Sequence, residues 1–479
     1  MKQTTDFSYG GKSYNTLLQP TDWRYSAAIT GLVNFFTEFG IDYLVLENIS
    51  DKPKTAISGF DGIVYNQESI TEDKYLEFAQ SHFRDSMTHL TIENLLKSDE
   101  FNRDEIKRIN ELIKSKTVFK EVFGKTKFEG SKADFFLNKI SKNRAKIIKS
   151  TFRYGKNMYT NFCNQNLLFT DSNKHCRING YNVDEGRKTK YLGYCFNKDS
   201  FVTNDIPEFD FIPFAFSNPS MYETYFVNNN YSISTLVETN REISRRLDDI
   251  NDTDAKNKLL TVLKNSKYFI DYDVEIISKN RDEDFYKTLF VRSQRLKRLQ
   301  KLKDQKFKFS YKIGENYYFN LDKEIYEKCL NDEVLDDSIL FMLKVLCSDE
   351  NSSQYTSYLI KKMIEINLEW KGQDDMLAND IRIARGAGYH TALKLKEDKA
   401  ENKISSFQQK IIGALIAHDY DRVTEILLNL SSYAETEFGF IYKFLENPEE
   451  NPEENKDLVF AFASAFNKNS NDKGDNTNE

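Results

Sequence analysis

The stretch that most constrains this chain runs from Gln354 to Phe466, where apolar residues recur every three or four positions through consecutive segments. Tyr355, Leu359, Met363, Ile366 and Trp370 fall on one side of a first helix. Leu377, Ile381, Ala384, Gly388, Ala392 and Leu395 do so on a second. Ile404, Phe407, Ile411, Leu415 and Ile416 mark a third, and Val423, Ile426, Leu427, Leu430 and Tyr433 a fourth. Shorter stripes follow at Phe438, Ile441, Tyr442 and Leu445, then at Leu458, Phe462 and Phe466. Stripes at this spacing are buried only if several helices share a core, so the spacing predicts a helical bundle with almost no strand. The second helix has a core face of small residues, which lets a partner backbone approach closely. Gly386 and Gly388 each cost roughly 1 kcal/mol of helix propensity against Ala.

Charge is sorted unevenly. The net charge is −7, yet Lys139–Lys156 holds seven Lys or Arg and no acid, and Arg292–Lys308 holds eight against Asp304 alone. In the bundle, residues 377–410 carry seven cations against four acids, and residues 411–466 three against eleven. Phosphates respond to local potential rather than to the total, so such blocks make an acidic protein a candidate for binding nucleic acid. The candidate cations are Lys139, Lys142, Arg144, Lys146, Lys149, Arg153 and Lys156 in the first block, and Arg292, Arg295, Lys297, Arg298 and Lys301 in the second. Arg382, Arg385, Lys394 and Lys396 add a third group, on the outer face of the small-residue helix. Beside the first block, Phe152, Tyr154, Tyr159 and Phe162 interleave with the cations. Cations for phosphates with aromatic faces for bases is how single strands are held.

At 479 residues the chain has room for two to four domains. The reading is α+β: an N-terminal α+β region (1–135), a basic helix with a cysteine-containing, β-like insert (136–220), and a mixed region with a second basic helix (221–350). The all-α bundle (351–467) and a disordered tail (468–479) complete it. Asp22 and Gly40 bracket a first helix with Trp23, Ala27, Gly31, Leu32, Phe35 and Phe39 inward. Strands follow in DYLVLEN and KTAISGFDGIVYN, then helices at about Asp73–Lys97 and Asn102–Ser115. DEDFYKTLFVRSQRLKRLQKLK reads as one helix, with Phe285, Leu289, Leu296, Leu299 and Leu302 inward. FKFSYKIGENYYFNL reads as a hairpin turning at Gly314–Asn316, and NPEENPEEN as a charged loop. Cys163, Cys176 and Cys195 are single, whereas structural zinc sites pair ligands two to four residues apart, so no bound zinc or other cofactor is expected. No run of about 18 apolar residues and no signal-peptide core occur, and the reading is a cytosolic protein off the membrane.

Several features together resemble the large subunit of type I CRISPR surveillance (Cascade) complexes, closest to type I-B. They are the opening DWRYSAAITGLVNFF, the cysteine region running into IPFAFS, and the bundle entered through RGAGYHTALKLK with ENKISSFQQKIIGALIAHDYDRVTEILLNL after it. The family pattern includes a zinc ribbon, of which this sequence keeps only unpaired cysteines. The resemblance implies a non-catalytic protein that touches the 5′ handle of a guide RNA and reads the motif flanking a double-stranded DNA target. It also implies help in opening the duplex, recruitment of a nuclease-helicase, and assembly with backbone and small subunits. The bundle resembles the small subunit, and Met342, Met363 or Met376 would be the internal start of a separate product.

Two other readings compete. Arg385 and His390 have the Arg-x-x-x-x-His spacing of HEPN ribonucleases, which cut RNA without metal, but helix geometry sets them about 140° apart. A protein-interaction scaffold would use the acidic bundle face and touch no nucleic acid.

Overall fold

The computed structural model describes residues 1–98, 100–180, 204–217, 223–249, 262–263, 266, 270–302, 305, 307–315, 318–348, 354–372, 374–442 and 452–467. The chain divides into two compact units, Met1–Leu296 and Lys297–Glu479. The architecture is mixed α+β, as the sequence predicts: mostly helices, with small antiparallel sheets.

The first unit opens with a hairpin. β1 (Lys2–Tyr9) and β2 (Lys12–Leu18) pair antiparallel around Gly10 and Gly11, both at positive φ. A two-residue hairpin turn requires that geometry, and glycine adopts it without a steric penalty. β3 (Tyr43–Val45) and β4 (Ile63–Tyr65) lie inside the two predicted strand segments and give a sheet of order β1-β2-β4-β3. Side chains alternate across it. Ile63 and Tyr65 enter the main core, while Val64 joins Phe7, Tyr14, Leu17 and Leu46 on the other face.

The main core is organised by helix Trp23–Phe39. The Asp22 carboxylate accepts the Arg24 amide at 2.8 Å to start it, and Gly40 ends it in the left-handed region. Gly31 faces the 3-10 helix Pro207–Phe214, and a Cβ at that position would sit 2.1 Å from the Phe211 carbonyl oxygen. The two elements therefore meet backbone to backbone.

Helices Glu72–His82, Thr88–Leu95 and Arg103–Ser115 follow, the last begun by a reciprocal capping box between Asn102 and Glu105. The first basic block forms two helices, Ala133–Lys142 and Arg144–Tyr154, broken at Asn143. The break divides the predicted apolar stripe. Ile140 and Ile147 join a satellite core with Ile109, Phe119 and Phe136, whereas Ile148 and Phe152 enter the main core.

A second sheet, β5 (Glu223–Asn228), β6 (Val274–Asn280) and β7 (Tyr286–Val291), corrects the helix expected over 282–303. The first half of that segment is β7, and the helix is only Ser293–Lys301. Tyr-Lys-Thr-Leu-Phe-Val is aromatic and β-branched, and six registered pairs with β6 outweigh the helical spacing of Phe285 and Leu289. Phe285 is exposed as a result, while Leu296, Leu299 and Leu302 are buried as predicted.

In the second unit, β8 (Ser310–Lys312) and β9 (Tyr318–Asn320) form the predicted hairpin. The helices are Leu321–Asn331, Asp336–Ser348, Gln354–Lys371, Asp374–Glu397, Glu401–Ile416, Tyr420–Ala434 and Pro452–Ala465. Leu359, Met363, Ile381, Ala384, Leu395, Ile404, Ile411, Val423, Leu427 and Leu430 are buried, as their spacing requires. Tyr355, Tyr433 and Tyr442 are about half exposed because they sit at stripe edges, where an apolar ring carries a polar tip. Ile416, the last residue of its helix, is exposed too. The close approach foreseen for the small-residue helix is made at Gly388, where a Cβ would lie 2.4 Å from the Phe462 carbonyl oxygen. Part of the expected charged loop is helix instead, starting at Pro452, a residue suited to the first helical turn. The side chain of Leu377, the residues 443–451 that include Leu445, and the tail 468–479 lie outside the described residues.

Candidate nucleic-acid interface

In the first basic block, segments without acids in sequence are not without acids in space. Arg144 pairs with Glu93 and donates to the side-chain amide oxygen Oε1 of Gln80 at 2.8 Å; both acceptors come from preceding helices. Lys146 meets Glu121 at 2.8 Å, and Lys149 meets Glu72 at 2.7 Å while its ammonium lies 5.0 Å from the Phe169 ring centroid. Lys139 donates to the Val122 carbonyl at 3.0 Å, and Arg153 donates to the Gln165 carbonyl. Lys142 and Lys156 are exposed, with no carboxylate partner among the described residues. Of the interleaved aromatics, Phe152, Tyr159 and Phe162 are core side chains, closed to any base. Tyr154 alone among the four is exposed, with the Arg153 guanidinium 5.3 Å from its ring centroid.

The second block is split in the same way. Arg298 binds Asp332 at 2.7 Å and the Trp370 carbonyl at 3.1 Å, and Lys301 binds Glu369. Arg292 and Lys297 are exposed without a carboxylate partner among the described residues, and Arg295 is half-buried. On the small-residue helix, Arg382 is exposed and donates to Asn379 at 3.0 Å. Lys394 approaches Glu435 at 3.5 Å, and Lys396 is half-buried. Arg385 is half-buried and donates to the Ser464 hydroxyl at 2.8 Å, whereas His390 is exposed beside Tyr389. The bond to Ser464 commits Arg385 to holding two helices together.

The cysteine region is tied down by a buried arginine that sequence reading did not single out. Arg177 is fully buried. It donates from Nε to Asp205 at 3.0 Å and from Nη1 to Asp210 at 2.7 Å, with further bonds to the Leu167, Thr170 and Asp171 carbonyls. Tyr159 and Tyr75 donate to the Asp210 carboxylate and carbonyl respectively. Burial opposes the Arg177 charge, but Asp210 and Asp205 outweigh it and hold the guanidinium charged. Cys163 and Cys176 are buried thiols. Desolvation pushes the first well up and the second to about 11, so both stay protonated. Cys163 bridges to Ile178, and among the described residues no zinc ribbon is seen; Cys195 lies outside them. Among the described residues no cluster of three His, Cys, Asp or Glu could hold a metal, and no helix is long and apolar enough to cross a membrane.

A family model described as CRISPR-associated protein Csx8 matches residues 14–252 and 247–466. The chain belongs to the Csx8 family of CRISPR-associated proteins. No curated protein and no solved structure matches it. Membership in the Csx8 family establishes the CRISPR association that the sequence resemblance implied, and it covers most of both units.

Two histidines of this Csx8-family chain give its first unit a pH dependence. Burial lowers the pKa of His82 to about 4. Burial also brings His89 to about 4, with Arg144 and Lys116 adding to the effect. The unfolded chain takes up protons below about pH 6.5 and the folded unit not until about 4, so stability present above pH 6.5 is lost as pH falls through that window. The thermal midpoint of the first unit should drop between pH 7 and 4.5. A midpoint flat across that range would contradict the neutral state of both rings.

Proposed function

We propose that this Csx8-family protein is a non-catalytic large subunit of an RNA-guided surveillance complex. It holds the 5′ handle of the guide, reads the motif flanking a double-stranded DNA target, helps open the duplex and recruits the nuclease-helicase. The second unit acts as a small-subunit-like body along the backbone. Guide pairing supplies sequence specificity, and the protein supplies local duplex recognition and positive surface.

The observation that carries this reading is that a protein of a CRISPR-associated family exposes cations with no carboxylate partner among the described residues: Lys142, Lys156 and Arg292 in the first unit, Lys297 and Arg382 in the second. Such side chains are available to phosphate in a way that Arg144, Lys146 and Lys149 are not. Reversing those three would set glutamate against Glu93, Glu121 and Glu72 and confound folding with binding. The informative variant combines Lys142→Glu, Lys156→Glu and Arg292→Glu. It should melt normally, bind guide RNA more weakly, and show a log–log salt slope shallower by about 2, from about 0.7 per lost phosphate contact. Unchanged affinity and slope would remove these residues from the interface.

A further inference from the structure

Helix Gln354–Lys371 is packed against its neighbours in the second unit along most of its circumference. One outward stripe is left, and it takes no part in anything described so far. Tyr355 and Tyr358 begin it, 42% and 47% exposed, with ring centroids 6.2 Å apart and planes 20° from parallel. Exposed apolar residues are ordinarily scattered singly. Here two aromatic rings lie side by side in nearly one orientation, each with about half its surface in water.

Cations follow the rings. Lys361 and Lys362 stand one turn on, and the Lys362 ammonium lies 5.9 Å from the Tyr358 ring centroid. Both approach Glu365, at 3.9 and 2.8 Å, so two ammonium groups share one carboxylate. A turn further along, Glu369 holds Lys301. Lys297 stands one turn from Lys301 on the same face of helix Ser293–Lys301, exposed and without a carboxylate partner among the described residues. Four lysines against two glutamates leave the stripe net positive. From Tyr355 to Glu369 it runs about 21 Å, at 1.5 Å per helical residue.

Aromatic faces that stack bases, beside ammonium groups that track phosphates, are what holds a single strand, and a duplex keeps its bases stacked on one another. We propose that Tyr355 and Tyr358 stack unpaired bases of a single strand whose phosphates run along Lys361, Lys362, Lys301 and Lys297. At about 3.4 Å per nucleotide the stripe holds about six nucleotides. This inference deepens the proposed complex role and rests on it only for the origin of the strand, a guide RNA or a displaced DNA strand.

The test uses the full chain with fluorescein-labelled oligo(dT) and oligo(U) of about eight nucleotides, read by anisotropy. At least one should bind with a Kd below about 100 μM. Tyr355→Ala and Tyr358→Ala should each weaken it at least about fivefold, the low end for one lost base stack, and should melt as wild type does. Tyr355→Phe and Tyr358→Phe should bind as wild type, because the ring stacks and the hydroxyl does not. Lys361→Gln with Lys362→Gln should make the log–log salt slope shallower by about 1.4, from about 0.7 per lost phosphate contact. A strand carrying 5-iodouracil should cross-link on irradiation to the peptide that holds both tyrosines. An effect confined to oligo(dT), or to oligo(U), names the strand and supports the site, and an effect on both supports a site indifferent to the sugar. No binding by either strand, alanine variants that bind as wild type, phenylalanine variants as weak as alanine, or cross-links only elsewhere in the chain overturn the proposal. Guide RNA that still co-purifies in that case leaves the complex role standing without the stripe. Strands held by these rings in a chain that brings down no RNA leave the stripe standing without that role.

Discussion

Replacing Arg177 with alanine is expected to cost the first unit roughly 3–5 kcal/mol, the scale for stripping one partner from a buried ion pair. The substitution leaves the Asp205 and Asp210 carboxylates buried with their shared cation gone, and three backbone carbonyls lose a donor. Tyr159 at 2.6 Å and the Phe169 amide at 3.1 Å still donate to Asp210, but neither carries charge. Arg177→Lys should recover little, because an ammonium cannot span Asp205 and Asp210 as the planar fork does. The region around Cys163, Cys176 and the Pro207–Phe214 helix should lose protection first. Chemical denaturation with hydrogen exchange reads both effects, and a loss below about 1 kcal/mol would mean that water replaces the guanidinium at little cost.

Gly386 and Gly388 should respond to alanine with opposite signs. A Cβ at Gly386 has no neighbour within 4 Å, so Gly386→Ala gains helix propensity and should stabilise the second unit by roughly 0.5–1 kcal/mol. At Gly388 the same carbon would lie 2.4 Å from the Phe462 carbonyl oxygen and 3.2 Å from the Phe466 nitrogen. Those are backbone atoms, which cannot rotate away. Overpacking of about 1–3 kcal/mol then exceeds the propensity gain, and Gly388→Val should be worse still. Urea melts of the two alanine variants check this, and equal midpoints would contradict the close approach of helices Asp374–Glu397 and Pro452–Ala465.

Much of the second unit was legible because a stripe at three- and four-residue steps depends on local spacing alone. Leu359, Ile381, Ile411 and Leu427 are buried where that spacing put them. Local chemistry likewise placed the Asp22 and Gly40 ends of the first helix. The segment 282–291 misled because its periodicity admits either state, and the partner that decided it, β6, lies elsewhere in the chain. The β1–β2 hairpin did have a local signal, adjacent glycines between β-rich runs, which sequence reading passed over. For the candidate interface, composition located the cations but not their partners. Glu72, Glu93 and Glu121 come from outside the basic block, so its paired and unpaired members could be told apart only in three dimensions. Arg177 carried no sequence signal, since nothing local marks which arginine will be enclosed by Asp205 and Asp210.

The central claim, that this Csx8-family chain works as a subunit on a guide RNA, is tested most directly by what co-purifies with it. The tagged chain, drawn from cells that express its neighbouring genes and a repeat array, should bring down a short RNA of uniform length together with smaller protein subunits. Recovery of the chain alone, free of RNA at low salt, would contradict the account.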